Sequence, residues 1–306
     1  METIRSFEDM LIHLAQRKER RRVAIVWAAD RNSQVSVQRA LEIGFIDAIF
    51  VGCREEVEQN AAIMRYSEHV QFVAANDRDE AAQTAVQMVR EGRVDILMKG
   101  LINTDNLLRV VLNKETGILP RGHVLTHITA ARLPEIERLL FFTDSAVIPY
   151  PTQEQRVQQV RYTADLCHSL GIDEPKISLI HCTEKVNERL FPFTPGYRDI
   201  VSMAEQGEFG KCIVDGPLDL KTSVSPESLR IKGINSPLGG EADALVFPDI
   251  ESANVFYKTI TLFLGVETAG TLMGTQAPVV LPSRSDSKLC KFYSLALAAI
   301  LKAPNS

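Results

Sequence analysis

The chain has 306 residues, of which 45% are hydrophobic and 24% are charged, and its formal net charge at pH 7 is −5. This length predicts two domains rather than one small core, and the composition is typical of a soluble globular protein. The net negative charge argues against nucleic acid or an anionic membrane surface as the main partner, although a local site for a small anion remains compatible with it.

The first residues and the cysteines indicate a cytoplasmic protein. The opening segment METIRSFEDMLIHLAQ contains acidic residues and lacks the apolar core of a signal peptide. No apolar run approaches the roughly 18 residues that a membrane-spanning helix needs. The five cysteines are scattered without a CxxC pair, which is typical of reduced thiols.

In the first part of the chain, short apolar segments alternate with amphipathic ones. The sequence predicts strands at 22–29, 47–52, 70–75 and 95–100, and helices at 33–44, 53–64, 79–91 and 104–113. Near-continuous apolar strands that are separated by helices are typical of a parallel sheet covered on both faces.

The second part of the chain repeats this alternation. Strands are predicted at 138–146, 176–182, 211–216, 242–248 and 277–283, and helices at 153–169, 195–206, 225–232, 250–264 and 287–302. The fold class predicted for the whole chain is therefore α/β.

Polar residues follow several of these strands, and the carboxyl ends of strands are where open α/β sheets bind ligands. The residues concerned are Lys99, Gly100, Asn103, Thr104, Asp144, Ser145, Asp215, Asp249, Asn254 and Lys258. Asp249 is better explained as a helix N-cap, and Asp215 as part of a turn. Lys99 directly follows a buried strand and precedes a glycine, where backbone can approach a ligand closely. Asn254 and Lys258 share one face of an otherwise apolar helix, which favours a binding role for them.

The segment Ser283–Ser287, with the sequence SRSDS, lies between the last predicted strand and the last predicted helix. Arginine binds phosphate through two hydrogen bonds, and a helix N-terminus adds free N–H donors. The same residues are also compatible with a plain helix start, in which Ser287 or Asp286 caps the helix and Arg284 forms a surface ion pair. The residues alone leave both interpretations open.

Several common motifs are absent from the sequence. It contains no GxxxxGK[ST] nucleotide loop, no GxGxxG after the first strand and no GxSxG around a nucleophile. His123 and His127 are four residues apart, but no carboxylate lies near them in the sequence, so no metal site is predicted.

Five segments together resemble the phosphate acetyltransferase/phosphate butyryltransferase family, and within it the butyryltransferase branch. They are DILMKG (95–100), FTDSAV (142–147), VDGPLDL (214–220), IKGINSPLGGEADALVFPDIESANVFYK (231–258) and LMGTQAPVVLPSRSDS (272–287), the last followed by KFYSLALA. They occur in the family's order, and the stretch 231–287 is the most specific.

This resemblance implies an acyltransferase that exchanges a short acyl group between coenzyme A and inorganic phosphate. It also implies two α/β/α domains of the isocitrate/isopropylmalate dehydrogenase-like fold with the active site in the cleft between them. The first domain would combine 1–125 with 275–306, and the second would span 126–274. Coenzyme A would be a substrate, with no tightly bound cofactor, and the protein would form a homodimer or a larger homo-oligomer.

The resemblance also assigns site residues. Ser283 and Arg284 match the family's Ser-Arg pair after the final strand, where the arginine is expected to hold phosphate and the serine to hydrogen-bond the reacting thiol or carbonyl. The residues expected to bind phosphate or coenzyme A are Lys99, Gly100, Thr104, Asp144, Asn254, Lys258, Gly274 and Ser287.

One position departs from the acetyltransferase branch. That branch is expected to place an aspartate, acting as base on the coenzyme A thiol, seven residues after the serine, where this chain has Cys290. Asp286 fits the butyryltransferase-type SRxDS pattern and is our candidate for the base. Acyl transfer directly to phosphate needs no covalent acyl-enzyme, so Cys290 is not required as a nucleophile.

Three alternatives stay open at this stage. A metal-dependent 2-hydroxy-acid dehydrogenase of the same fold would need clustered carboxylates, and Asp215, Asp219, Asp243 and Asp249 lack a suitable helical spacing. A catalytically silent protein that senses acyl-CoA would bind the substrate without turning it over. A phosphate acetyltransferase would use acetyl-CoA as its main substrate.

Overall fold

A computed structural model describes residues 2–283 and 286–301 of the chain. Its strands are β1 (Arg21–Val26), β2 (Ile46–Val51), β3 (Val70–Val73), β4 (Ile96–Lys99), β5 (Thr126–Ala131), β6 (Leu140–Thr143), β7 (Lys176–Ile180), β8 (Ile213–Leu218), β9 (Ala244–Val246), β10 (Thr268–Met273) and β11 (Val279–Val280).

Its α-helices are α1 (Phe7–Gln16), α2 (Arg31–Ile43), α3 (Arg54–Glu58), α4 (Ala61–Met64), α5 (Arg78–Arg90), α6 (Thr104–Val111), α7 (Gln153–Ser169), α8 (Pro195–Glu205), α9 (Leu220–Val224), α10 (Pro226–Lys232), α11 (Ile250–Phe263) and α12 (Lys288–Ile300). A short 3-10 helix covers Ser67–His69. The mixed α/β fold predicted from the sequence is confirmed.

The chain divides into two compact units. The first unit consists of Phe7–Leu125 and Glu267–Ser306, and the second consists of Met1–Ser6 and Thr126–Val266. The sequence placed the second boundary at 274/275 instead. β10 accounts for the difference, because it pairs with β11 of the first unit.

In the first unit, the strand order is β3-β2-β1-β4-β11-β10. The first five strands are parallel, with Val23 of β1 aligned to Ala48 of β2 and to Ile96 of β4. β10 runs antiparallel to β11. All ten residues of α12 from Lys291 to Ile300 are buried, so this apolar C-terminal helix is part of the core of the first unit.

In the second unit, the strand order is β5-β6-β9-β7-β8. β5 is antiparallel to β6, and the remaining neighbours are parallel. Phe142 of β6 lies in the core, where its ring contacts Phe247 and Phe256 edge-on at centroid distances of 6.3 and 5.2 Å. Such edge-to-face contacts add to the stabilisation that burial of the rings provides.

Side-chain caps fix where several helices begin. α7 begins with a capping box, in which Thr152 accepts a hydrogen bond from the Gln155 backbone N–H and the Gln155 side chain accepts one from the Thr152 N–H. Asp249 caps α11 by accepting from the Ser252 N–H at 2.8 Å, as the sequence suggested. None of the described helices is both long and apolar enough to cross a membrane.

Candidate active site

The carboxyl ends of β1, β4 and β11 share one edge of the first unit's sheet, because these strands are parallel neighbours. Lys99 is the last residue of β4 and is 3% exposed. Its ammonium group donates to the Pro282 carbonyl oxygen at 3.3 Å. The structure therefore brings Lys99 together with the turn that follows β11.

Gly100 allows β4 to end close to β1. Its N–H donates to the Val26 carbonyl oxygen at 2.9 Å, and a Cβ at this position would lie 2.6 Å from the carbonyl oxygens of both Val26 and Trp27. No side chain fits at that distance from rigid backbone, so the position requires glycine.

Trp27, which follows β1 at the same edge, is a strained residue that the sequence analysis did not single out. Its φ angle is 57°, in the left-handed region that bulky residues avoid. A Cβ at Gly52 would lie 2.4 Å from the Trp27 ring, so the indole occupies the space that this glycine leaves. Backbone strain of this kind is concentrated at functional sites.

The predicted catalytic turn is closed by Asp286. Its carboxylate accepts from the Ser283 N–H at 2.7 Å, and the Asp286 N–H donates to the Ser283 carbonyl oxygen at 3.2 Å. Arg284, the residue expected to hold phosphate, lies outside the described residues, as does Ser285. Ser283 is exposed and Asp286 is half-buried, so both are accessible at this edge.

α12 begins at this edge with Ser287 as its N-cap. The Ser287 hydroxyl oxygen accepts from the Cys290 N–H at 3.0 Å. The capping interpretation of Ser287 is therefore right, and it is compatible with anion binding, since the first N–H groups of a helix attract negative charge. The Cys290 thiol itself accepts a hydrogen bond from the Thr268 hydroxyl at 3.6 Å.

Two further predicted residues of the first unit lie at different edges. Thr104 is the first residue of α6 and is exposed at the edge where β4 ends. Gly274, with a φ of 99°, follows β10. Because β10 is antiparallel to β11, Gly274 lies at the opposite edge of the sheet from Ser283. Within the first unit Gly274 is therefore distant from Ser283, and its predicted role in substrate binding stays a prediction.

An ion pair between a buried lysine and a half-buried aspartate, which no sequence pattern marks, lies beside the start of α12. Lys291 is 5% exposed, and its ammonium group lies 3.1 Å from Asp30 Oδ1 and 3.4 Å from the Ser33 hydroxyl. Burial by itself raises the pKa of Asp30, but hydrogen bonds from Ser33 and the charge of Lys291 outweigh it and bring the pKa below its ordinary value.

In the second unit, Asp144 follows β6 and is 2% exposed. Its Oδ1 accepts from the N–H groups of Ala146 and Val147, both at 2.9 Å. Its Oδ2 accepts from the Thr126 hydroxyl at 2.8 Å and from backbone N–H groups of residues 127 and 148 at 3.2 Å. Five donors therefore occupy this carboxylate, which makes it the anchor of the turn after β6; its predicted contact with substrate stays a prediction.

Asn254 and Lys258 lie on α11 near that turn. The Asn254 amide donates to the Ser145 carbonyl oxygen at 2.9 Å, while the Ser145 hydroxyl lies 3.4 Å from His127 Nδ1. Lys258 is exposed, one helical turn further along. The second unit thus brings Asp144, Asn254 and Lys258 to one region at the carboxyl ends of β6 and β9.

Arg156 of α7 is 2% exposed and lies at the same edge of the second unit. It donates to the Pro248 carbonyl oxygen at 3.2 Å, and its guanidinium lies over the rings of Phe193 and Tyr197 at 5.2 and 5.3 Å. Burial lowers the pKa of this guanidinium. Because no sequence motif marks the residue, only the packing of the fold identifies it.

The thiols of two cysteines are poorly suited to nucleophilic chemistry. Burial, helped by the charge of Glu56, raises the pKa of Cys53 to about 12, and burial also raises the pKa of the fully enclosed Cys167. The thiolate is the reactive form, so both stay protonated at neutral pH. Within the described part of the chain, no group of three or more His, Cys, Asp and Glu side chains is arranged to hold a metal ion.

Comparisons with known proteins all point to the same family. A family model described as "Phosphate acetyl/butaryl transferase" matches residues 65–299. The chain is 36% identical over 300 residues to a phosphate butyryltransferase of Clostridium acetobutylicum, covering 97% of this chain and 98% of that protein. It is 32% identical over 294 residues to a phosphate acetyltransferase of Thermotoga maritima, covering 96% and 99% of the two chains. Among solved structures, a branched-chain phosphotransacylase from Enterococcus faecalis is 30% identical with a TM-score of 0.80, covering 92% of this chain and 98% of that one.

Proposed function

Since this chain belongs to the phosphate acetyl/butyryltransferase family, we propose that it exchanges a short acyl group between coenzyme A and inorganic phosphate. In this reaction an oxygen of phosphate attacks the thioester carbonyl, the C–O bond of the acyl phosphate forms, and the C–S bond breaks. The proton that phosphate loses ends on the sulfur of coenzyme A. The enzyme is accordingly an acyltransferase.

The observation that carries this proposal is the edge of the first unit where β4 and β11 end. The Lys99 ammonium, the contact between Ser283 and Asp286, and the N-terminus of α12 lie there. A buried ammonium group and the first N–H groups of a helix suit a phosphate dianion and the oxyanion of a tetrahedral intermediate. In our proposal Arg284 binds the phosphate, and Ser283 donates to the reacting carbonyl or thiol.

Asp286 is our candidate for the group that moves the thiol proton. One of its oxygens already accepts the Ser283 N–H, which holds the carboxylate beside the serine that contacts the reacting atoms. A general base has to be fixed within hydrogen-bond reach of the proton that it takes. The proposed roles of Asp286 as base and of Ser283 as donor are therefore coupled, since loss of Asp286 removes the base and also the hydrogen bond that holds Ser283.

Residues of the second unit supply the remaining contacts in this proposal. Asn254 and the exposed Lys258 bind the coenzyme A ester, while Asp144 fixes the Ser145 backbone that Asn254 contacts. We further propose that the two units are α/β/α domains of the isocitrate/isopropylmalate dehydrogenase-like fold. The protein is expected to be a cytoplasmic homodimer or larger homo-oligomer without a tightly bound cofactor.

The acyl group is proposed to be butyryl or a similar short chain. The support for this choice is the 36% identity to a phosphate butyryltransferase. The relative named phosphate acetyltransferase, at 32% identity, makes acetyl the second candidate.

Release of thiol from an acyl-CoA, measured with a thiol reagent, tests the function. We expect release from butyryl-CoA that depends on added phosphate and is faster than release from acetyl-CoA. Faster release from acetyl-CoA assigns the acetyl alternative. Binding of butyryl-CoA without phosphate-dependent release would contradict the transferase and favour a silent acyl-CoA sensor.

A further inference from the structure

Lys291 is a buried cation in an otherwise mostly apolar helix, and the proposed reaction assigns it no part. Nine consecutive residues after it, through Ile300, are buried. Its side chain is 6% exposed, and that of its partner Asp30 is 21% exposed. The pair joins the start of α12 to the start of α2.

Stability alone does not explain this pair. Replacing a buried ion pair by apolar side chains of similar size is often neutral or stabilising, because both charges must lose their hydration. In addition, Asp30 Oδ2 is buried and has no hydrogen-bond partner among the described residues, which costs stability further. Whatever it contributes to stability, the pair fixes the relative position of the elements that it joins.

The ion pair holds the first turn of α12 in place, and one further hydrogen bond does the same. The Ser36 hydroxyl of α2 donates to the Lys288 carbonyl oxygen at 2.8 Å. Asp30 Oδ1, which lies 3.1 Å from the Lys291 ammonium, also accepts the Ser33 N–H at 2.9 Å as the N-cap of α2. The first turn of α12 is therefore tied to the N-terminal part of α2 by side chains of both helices.

That first turn is continuous with the proposed phosphate site. Ser287 caps α12, and the turn before it is closed between Ser283 and Asp286. On the other side, Pro282 is held by Lys99 at 3.3 Å. One lysine at the end of β4 therefore holds Pro282, and a second lysine inside α12 holds the start of that helix.

We propose that Lys291 and Asp30 are positioning residues that hold the start of α12, so that its capping residue Ser287 keeps a fixed position relative to Lys99 when phosphate binds. This inference rests on the proposed function. It assigns the pair no contact with the substrate, because both side chains act through the helix start.

The test compares K291M, D30N and the double variant with the unchanged protein, using butyryl-CoA and inorganic phosphate. Methionine keeps the length of the buried side chain, and asparagine still caps α2. We expect each single change to lower kcat/KM for phosphate about tenfold to a hundredfold, mainly through KM for phosphate, because small displacements in a site have effects of this size. KM for butyryl-CoA should stay unchanged.

The double variant decides whether the two residues act as one pair. Partners in one ion pair give non-additive effects, so the double variant should be no worse than the poorer single variant. K291R should recover part of the phosphate affinity, since it keeps the charge. The matched control is K114M, which removes the same charge from an exposed position after the end of α6 and should change kcat/KM by no more than about twofold.

Multiplicative losses in the double variant, or an equal loss in K114M, would overturn the proposal. Hydrogen exchange of the amides in 286–291, in the protein without substrates, gives a second readout that does not depend on turnover. Faster exchange in K291M supports the anchoring, and unchanged exchange contradicts it. If the unchanged protein shows no phosphate-dependent turnover, the proposed function fails, while the exchange result still decides the role of the pair.

Discussion

Replacing Asp144 by asparagine is expected to destabilise the second unit strongly. The Asp144 carboxylate is 2% exposed and accepts from five donors, which are the Thr126 hydroxyl and the N–H groups of residue 127 and of 146–148. An amide has one oxygen only, so its NH₂ group must face at least two of these donors. A hydrogen bond to a charged group contributes about 1.5–3 kcal/mol, so two lost bonds cost about 3–6 kcal/mol.

Urea unfolding of D144N measures this loss, and D249N is the matched control. Asp249 accepts one N–H as the cap of α11, where asparagine is equally suitable, so D249N should stay within about 0.5 kcal/mol of the unchanged protein. An anchoring role for Asp144 is refuted if D144N unfolds like the unchanged protein or if D249N loses as much stability. Normal stability combined with weaker acyl-CoA binding would instead identify Asp144 as a ligand of the substrate.

Two further changes test the edge of the first unit. Gly100→Ala should lower stability by about 1–3 kcal/mol and reduce turnover, since its Cβ would lie 2.6 Å from two backbone oxygens; urea unfolding and initial rates measure both effects. The control is Gly92→Ala, because Gly92 also has a positive φ of +65° but its Cβ would point into open space. This change should cost only about 1 kcal/mol of stability and leave turnover unchanged. Equal effects of the two changes would argue against the close approach at Gly100. Cys290→Ala should leave turnover close to normal, and abolished turnover would point to an acyl-cysteine instead of direct transfer.

The buried parallel strands were predictable from the sequence, because both of their faces are covered and they read as continuous apolar runs. β2 covers Ile46–Val51 where 47–52 was predicted, and β4 covers Ile96–Lys99 where 95–100 was predicted. β11 is shorter than the predicted 277–283, since the prolines on either side of it, at 278 and 282, cannot donate to a neighbouring strand.

Both antiparallel strands were missed. β5 (THITAA) and β10 (TAGTLM) consist largely of threonine, alanine and glycine, so neither gives a strong apolar signal. The predicted helix at 53–64 is in fact two short helices. Asn60 separates them by capping the second, with its side chain accepting from the N–H groups of Ala62 and Ile63.

The site was predictable only where its residues follow a strand directly. Lys99 and Ser283 meet at one edge because β4 and β11 are parallel neighbours, and the pattern of strands indicates that arrangement. The Asp30–Lys291 pair joins residues 261 positions apart, and no local pattern reveals such a contact. Gly274 could not be placed from sequence, because the direction of β10 depends on its pairing rather than on its composition.

The most direct test of acyl transfer to phosphate is the fate of phosphate oxygen during turnover. Purified protein is mixed with butyryl-CoA and phosphate labelled with heavy oxygen at every position, and the products are followed by phosphorus NMR and mass spectrometry. We expect butyryl phosphate that retains all of the label, including the oxygen bonded to the acyl carbon, with one thiol released for each molecule formed. Thiol release without acyl phosphate, at a rate independent of phosphate, would contradict acyl transfer to phosphate.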